Sequence, residues 1–330
     1  MNQTDWVRRY RITGIITIFA VYLLILVGGT VRASGAGMGC PDWPTCFGRW
    51  IPPTDASQLP PDYHQAYQQR GYANTDFNLI KTWTEYLNRL LGVSIGLLIF
   101  LTFLFSVSFL KTDKTIFYLS LSAFLMVGFQ GWLGSVVVAS NLKPLLITVH
   151  MLVALLIVAT LIYTVSRSQM ELLLQNQSQP ISEKIYLWLC IAISLTVLQI
   201  IMGTQIREAV DVIAEKHHAL NREFWGKEFP IIFYIHRSFS SLILIINIWI
   251  SWQIRKSIGK QSFLFKSTLL LNVLVIMAIL AGISLDRLGF PAVAQPIHLV
   301  LATMIFGSQF FLLICIRSMR IKQHLNLQCT

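Results

Sequence analysis

The chain is 330 residues long, 55% hydrophobic and only 12% charged. Stretches such as 97–110 and 145–161 carry no charge at all, which excludes a soluble enzyme and indicates a polytopic membrane protein. The formal net charge of +11 reflects topology and attraction to anionic lipid, and no nucleic-acid partner is expected.

Windows of about 20 apolar residues, the length that crosses a bilayer, fall near 11–31, 85–109, 116–139, 145–166, 184–205, 232–253, 267–286 and 295–316. The expected fold is all-α, with eight transmembrane helices. The first is read as retained rather than as a cleaved signal, because Leu23–Val31 leads into Arg-Ala-Ser-Gly-Ala-Gly with further spans behind it. No Arg-rich, Ser-rich presequence precedes it, so the expected location is a bacterial cytoplasmic (inner) membrane. Basic residues mostly free of acids mark the N-terminus (Arg8, Arg9, Arg11), 111–114, 167–184, 255–266 and the tail (Arg317, Arg320, Lys322) as cytoplasmic. Both termini are then inside, and the long loops 32–84 and 206–231 face outward.

The first helix ends in Gly28-Gly29-Thr30-Val31-Arg32. The loop after it opens with Ser34–Gly39, too rich in glycine for regular structure, and Trp43, Trp50 and Tyr63 are placed at the lipid interface. Cys40 and Cys46 lie in Cys-Pro-Asp-Trp-Pro-Thr-Cys on the outer side, where oxidation is allowed. A disulfide is the leading reading. Redox activity of the pair stays open, and a zinc site is disfavoured because no second pair of soft ligands lies nearby. Cys190, Cys315 and Cys329 fall in helices or on the reducing side, where free thiols are expected.

The second helix opens with Thr82–Gly92, which carries Glu85, Asn88 and Arg89 into an apolar setting. An ionisable side chain there costs at least ~2.5 kcal/mol, so it pairs, lines a cavity or touches a cofactor. Tyr86-Leu87-Asn88-Arg89 recurs as Tyr234-Ile235-His236-Arg237, and Gly28–Arg32 recurs as Gly203-Thr204-Gln205-Ile206-Arg207. Gly134 and Gly282 each stand sixteen residues before a histidine, His150 and His298. Two four-helix halves are therefore expected, 1–167 and 184–330, joined by a cytoplasmic linker 168–183 and related by an axis along the membrane normal. In the loop 206–231, Ala209, Val210, Ile213, Ala214 and His217 recur at helical spacing among charges, which predicts a short interfacial helix.

Asn88, His150, His236 and His298 all fall near the outer starts of even-numbered helices, as one layer. Imidazoles from facing helices hold a heme iron inside a four-helix bundle. A hydrogen bond to a neighbouring helix is the plainer role for any single histidine, but three at one depth favour a cofactor, with His236 and His298 as its pair. Porphyrin iron fits better than a bare ion, because no carboxylate or thiolate cluster completes a metal shell. Arg32, Arg89, Arg207 and Arg237 suit either heme propionates or lipid phosphates. Glu85 has Phe233 as its counterpart in the second copy. It reads either as an ion pair with Arg89 or as a base or charge stabiliser beside a substrate. Gln130 lines the same region or serves packing.

The motifs Gly-Gly-Thr-Val-Arg-x-Ser-Gly at 28–35, Cys-Pro-Asp-Trp-Pro-x-Cys at 40–46, Glu-Tyr-x-x-Arg at 85–89 and the three histidines resemble the heme A synthase family. The resemblance implies oxidation of a methyl group of heme O to a formyl group, giving heme A for terminal oxidases. It implies heme b as electron relay on His236 and His298, with Arg237 beside it. The substrate heme falls to the N-terminal half at His150, Asn88 and Arg89, with Glu85 as catalytic carboxylate and His150 on the substrate iron. Implied partners are heme O, membrane lipid, the heme O-producing farnesyltransferase and a quinone or other electron acceptor, and an oligomer is compatible. The family pattern has histidine where this chain has Asn88, so His150 is expected as sole protein ligand there, or Asn88 as holder of a water over the iron. The alternatives are a heme-binding electron-transfer subunit and a non-catalytic heme-handling assembly factor or transporter.

Overall fold

The computed structural model describes residues 3–73, 75–175, 182–217, 225 and 228–328. Cys329 and positions 176–181 of the linker lie outside them. Eight long helices carry the fold: α1 Gln3–Ala33, α2 Leu79–Ser106, α3 Lys114–Ala139, α4 Pro144–Ser168, α5 Glu183–Lys216, α6 Ile231–Ile258, α7 Phe263–Arg287 and α8 Ala294–Gln328. All eight contain a stretch apolar enough to cross a membrane, and this is an all-α polytopic membrane protein. Starts are specified locally. Asn78 accepts the Lys81 N–H at 3.0 Å, Ser262 accepts the Leu264 N–H at 3.2 Å, and Pro144 opens α4 where no N–H is needed.

The helices turn apolar side chains both inward and outward. Leu189, Ile250, Ile254, Leu264, Leu271 and Leu312 make a core among α5–α8. Val21, Ile95, Ile99, Ala123, Val158 and Leu161 make a second among α1–α4, joined by Ile314 of α8. Leu155, Ile200 and Phe306 pack along the seam between α4, α5 and α8, where the Thr148 and Thr204 hydroxyls meet at 2.9 Å. Phe19, Leu97, Leu125, Leu156, Ile245 and Leu270 face outward, as lipid requires. Without water, buried hydroxyls bond inside the bundle. Thr17 and Thr102 each donate to a carbonyl one turn back, at 2.7 and 2.9 Å, and lie 3.1 Å from each other.

Among its described residues, the α1–α2 connection, 34–78, holds only single-turn helices at Ala56–Gln58, Tyr63–Ala66 and Gln68–Arg70. It folds around Phe47, whose ring meets Tyr63, Tyr67, Tyr72 and Phe77 edge-on at 5.3–6.2 Å. Trp43 and Trp50 stay exposed, while Tyr63 joins this small core rather than standing free. Cys40 and Cys46 form a disulfide, both fully buried, whereas Cys190 and Cys315 are free thiols.

One expected element is corrected. Among the described residues the stretch after 206 is no separate interfacial helix, because α5 runs unbroken to Lys216. At ~1.5 Å per residue its 34 residues exceed the ~30 Å hydrocarbon layer, so the charged last three turns project beyond it. There Val210 and Ile213 pack with Trp225, Phe229, Phe233 and Phe290. Within the linker, Met170–Leu174 adds one further short helix.

Candidate functional site

The helices pair so that a glycine on each odd-numbered helix faces a polar ring or amide on the next. A Cβ added at Gly134, Gly203 or Gly282 would stand 3.5 Å from His150 Cε1, 3.6 Å from His236 Cε1 and 3.3 Å from His298 Cε1. At Gly28 it would stand 3.9 Å from Asn88 Oδ1. These four positions lie four to nine residues inside the starts of α2, α4, α6 and α8, roughly 6–14 Å in. The layer expected from spacing alone is thus a set of four repeated cradles at the long-loop end.

Two cradles share a further feature. One turn before the glycine, Gln130 Nε2 donates to the His150 carbonyl and Gln199 Nε2 donates to the His236 carbonyl, both at 2.9 Å. Each amide fixes the depth of one histidine. In the α7–α8 pair, His298 Nδ1 lies 2.9 Å from the Ala278 carbonyl, so a proton there leaves Nε2 as the nitrogen with a lone pair. His236 and His298 face one another with ring centres 6.1 Å apart, inclined by 63°. Asn88 Oδ1, His150 Nδ1 and His236 Nδ1 are buried without a hydrogen-bond partner among the described residues.

Glu85 is 4% exposed and both carboxylate oxygens are engaged: Oε2 accepts the Cys40 N–H at 2.9 Å and Oε1 accepts Arg89 Nη2 at 2.5 Å. Arg89 also donates to the carbonyls of Asp42, Thr45 and Cys40 at 2.7, 3.0 and 3.3 Å. The first turns of α2 therefore grip the disulfide loop. Tyr86 donates to Trp50 O at 2.7 Å, Thr82 to Gly39 O at 2.9 Å, and Tyr72 to Met38 O at 2.7 Å. Burial, then the nearby Glu85 charge, holds the Tyr72 phenol above its ordinary range and so protonated as a donor. Gly39 comes so close to α2 that a Cβ would stand 2.4 Å from Lys81 O.

The other three arginines of the layer, Arg32, Arg207 and Arg237, meet acids of the protein. Arg32 and Arg207 both bond Asp211, each at 2.8 Å. Arg237 is half-exposed, reaches Asp286 at 3.4 Å and lies over the Tyr234 ring.

The sequence matches the COX15-CtaA family, described as cytochrome oxidase assembly protein, over residues 11–310. The chain belongs to this family. Relatives named heme A synthase include that of Shewanella oneidensis, 33% identical over 46% of this chain and 41% of its own length. The Bartonella tribocorum protein is 22% identical over 79% of this chain and 80% of its own, and that of Shouchella clausii 26% identical over 72% and 74%. The Shewanella match thus spans less than half of that relative.

The residues present suit a heme: His236 of α6 and His298 of α8, ring centres 6.1 Å apart, would hold its iron. Among the described residues no three His, Cys, Asp or Glu side chains gather as a shell for a bare ion, whereas two imidazoles from facing helices are a heme's axial set.

Sequence reasoning singled out Gln130 but passed over Gln199 and Asp211. Gln130-x-x-x-Gly134 and Gln199-x-x-x-Gly203 share one spacing, a signal visible once the histidine layer is known. Asp211 carried no such signal, because its partner Arg32 is 179 residues away.

Proposed function

We infer that this protein is a heme A synthase, an oxidoreductase that converts the methyl group of heme O to the formyl group of heme A for terminal oxidases. The facing pair His236–His298, 6.1 Å apart in a family whose relatives carry that name, is the observation that carries the reading. Heme b bound there supplies one-electron relay chemistry.

The N-terminal half, 1–167, takes the substrate. His150 offers its ring from α4, with depth set by Gln130. Asn88, opposite Gly28, is a poor iron ligand, so His150 would be the one protein ligand on the substrate iron, or Asn88 would hold a water over it. Glu85 shares a helix face with Asn88, three residues away. Its charge is held by Arg89 and the Cys40 N–H, which suits a charge stabiliser at the substrate's edge. The C-terminal half, 184–330, holds heme b, with Arg237 close behind His236.

The basic ends of the helices support an inner-membrane orientation with both termini cytoplasmic and the disulfide loop outside. The heme O-producing farnesyltransferase delivers substrate, and a quinone or similar acceptor takes the electrons. Purified protein is expected to contain b-type heme with a low-spin spectrum that disappears in His236→Ala or His298→Ala. A folded wild type with no heme, or variants keeping the wild-type spectrum, contradicts the reading.

A further inference from the structure

Asp211 belongs to no cradle, yet it is where the two halves meet electrically. Its Oδ2 accepts Arg32 Nη2, at the end of α1, and its Oδ1 accepts Arg207 Nη2, one turn earlier on α5, each at 2.8 Å. Arg32 stands four residues beyond Gly28, which faces Asn88, and Arg207 four beyond Gly203, which faces His236. One carboxylate therefore ties the arginine above the first ring position of one half to the equivalent arginine of the other. The internal repeat sharpens this. Arg32 and Arg207 correspond, but the residue corresponding to Asp211 is Ala36, so the bridge is built once, by the second half only.

The side chains are 23%, 25% and 45% exposed for Arg32, Arg207 and Asp211, and ion pairs that wet add little to folding. The arrangement matters more as fixed charge. Two guanidiniums meet one carboxylate one turn beyond Gly28 and Gly203, with planar donors suited to carboxylates. We propose that Asp211 is a positioning residue that holds Arg32 and Arg207 as one shared anion-binding unit for porphyrin carboxylates, and that it sets the electrostatic environment of heme b. This rests on the heme b reading given above.

The test is redox titration of heme b in the purified, full-length protein. Asp211→Asn removes a negative charge and is expected to raise the midpoint potential, because the added positive field favours the reduced iron. Arg207→Gln is expected to lower it, and Asp211→Glu to restore the wild-type value. Asp62→Asn, an exposed acid of the long loop, should leave it unchanged. An unmoved potential in Asp211→Asn with heme b bound and low-spin overturns the proposal. So does movement of Asp211→Asn and Arg207→Gln in one direction, the mark of a merely structural role, or an equal shift in Asp62→Asn. A wild type without heme b sinks the underlying reading instead.

Discussion

Asn88 occupies a cradle that elsewhere in this chain holds an imidazole. Its Oδ1 is buried and unpartnered among the described residues, facing Gly28 as His236 faces Gly203. The same helix-against-glycine geometry is kept while the imidazole is not. Asn88→His is therefore expected to be accepted sterically and to move heme bound in the N-terminal half toward a low-spin, six-coordinate absorption spectrum. An unchanged spectrum means that Asn88 does not face the iron. The histidines and Asn88 were legible from the sequence because intramembrane polar residues are rare and costly. The hydrogen bonds that set their depth were not: Gln199 reads as an ordinary polar residue until His236 is placed 37 positions away beside it.

At the scale of elements, the loop 34–78 and the start of α2 act as one unit. Arg89 reaches three loop carbonyls, and Glu85 holds both Arg89 and the Cys40 N–H. Removing one partner of such a buried pair strands the other charge, at a cost of about 3–5 kcal/mol. Glu85→Ala should accordingly lower thermal stability and expose 34–78 to protease, whereas Glu85→Gln, which keeps the shape and an acceptor, should lose far less. Equal protease resistance of Glu85→Ala and wild type would remove the clamp. The sequence offered the Glu85–Arg89 pair from its i,i+4 spacing, but the loop's grip depends on backbone carbonyls that no side-chain pattern reports. The extent of α5 was likewise hidden. Arg207, Glu208 and Asp211 end the apolar window, yet Ala209, Val210 and Ile213 keep the helical period, and bilayer thickness limits the apolar stretch rather than the helix.

Across the whole molecule, eight spans were legible because about 20 apolar residues per crossing is a physical requirement. The repeat was legible in Gly28/Gly203, Gly134/Gly282 and Arg32/Arg207. How the halves join was not, since the seam is largely small and apolar contacts, Gly29 against Pro296 and Leu299, Gly307 against Tyr22, and Leu155 with Ile200 and Phe306, with the Thr148–Thr204 and Arg32–Asp211 contacts pairing residues far apart in sequence. The asymmetry between halves carries the functional account. One half has a facing histidine pair, which we propose holds a relay heme. The other has His150 and Asn88 with Glu85 and the disulfide loop, and is the proposed substrate side. Heme extraction and chromatography from cells that make heme O, with and without this protein, test that account most directly. Heme A is expected only when the protein is present and is expected to be absent when His298→Ala replaces the wild type. Heme O persisting unchanged beside well-folded, heme b-loaded protein would contradict it.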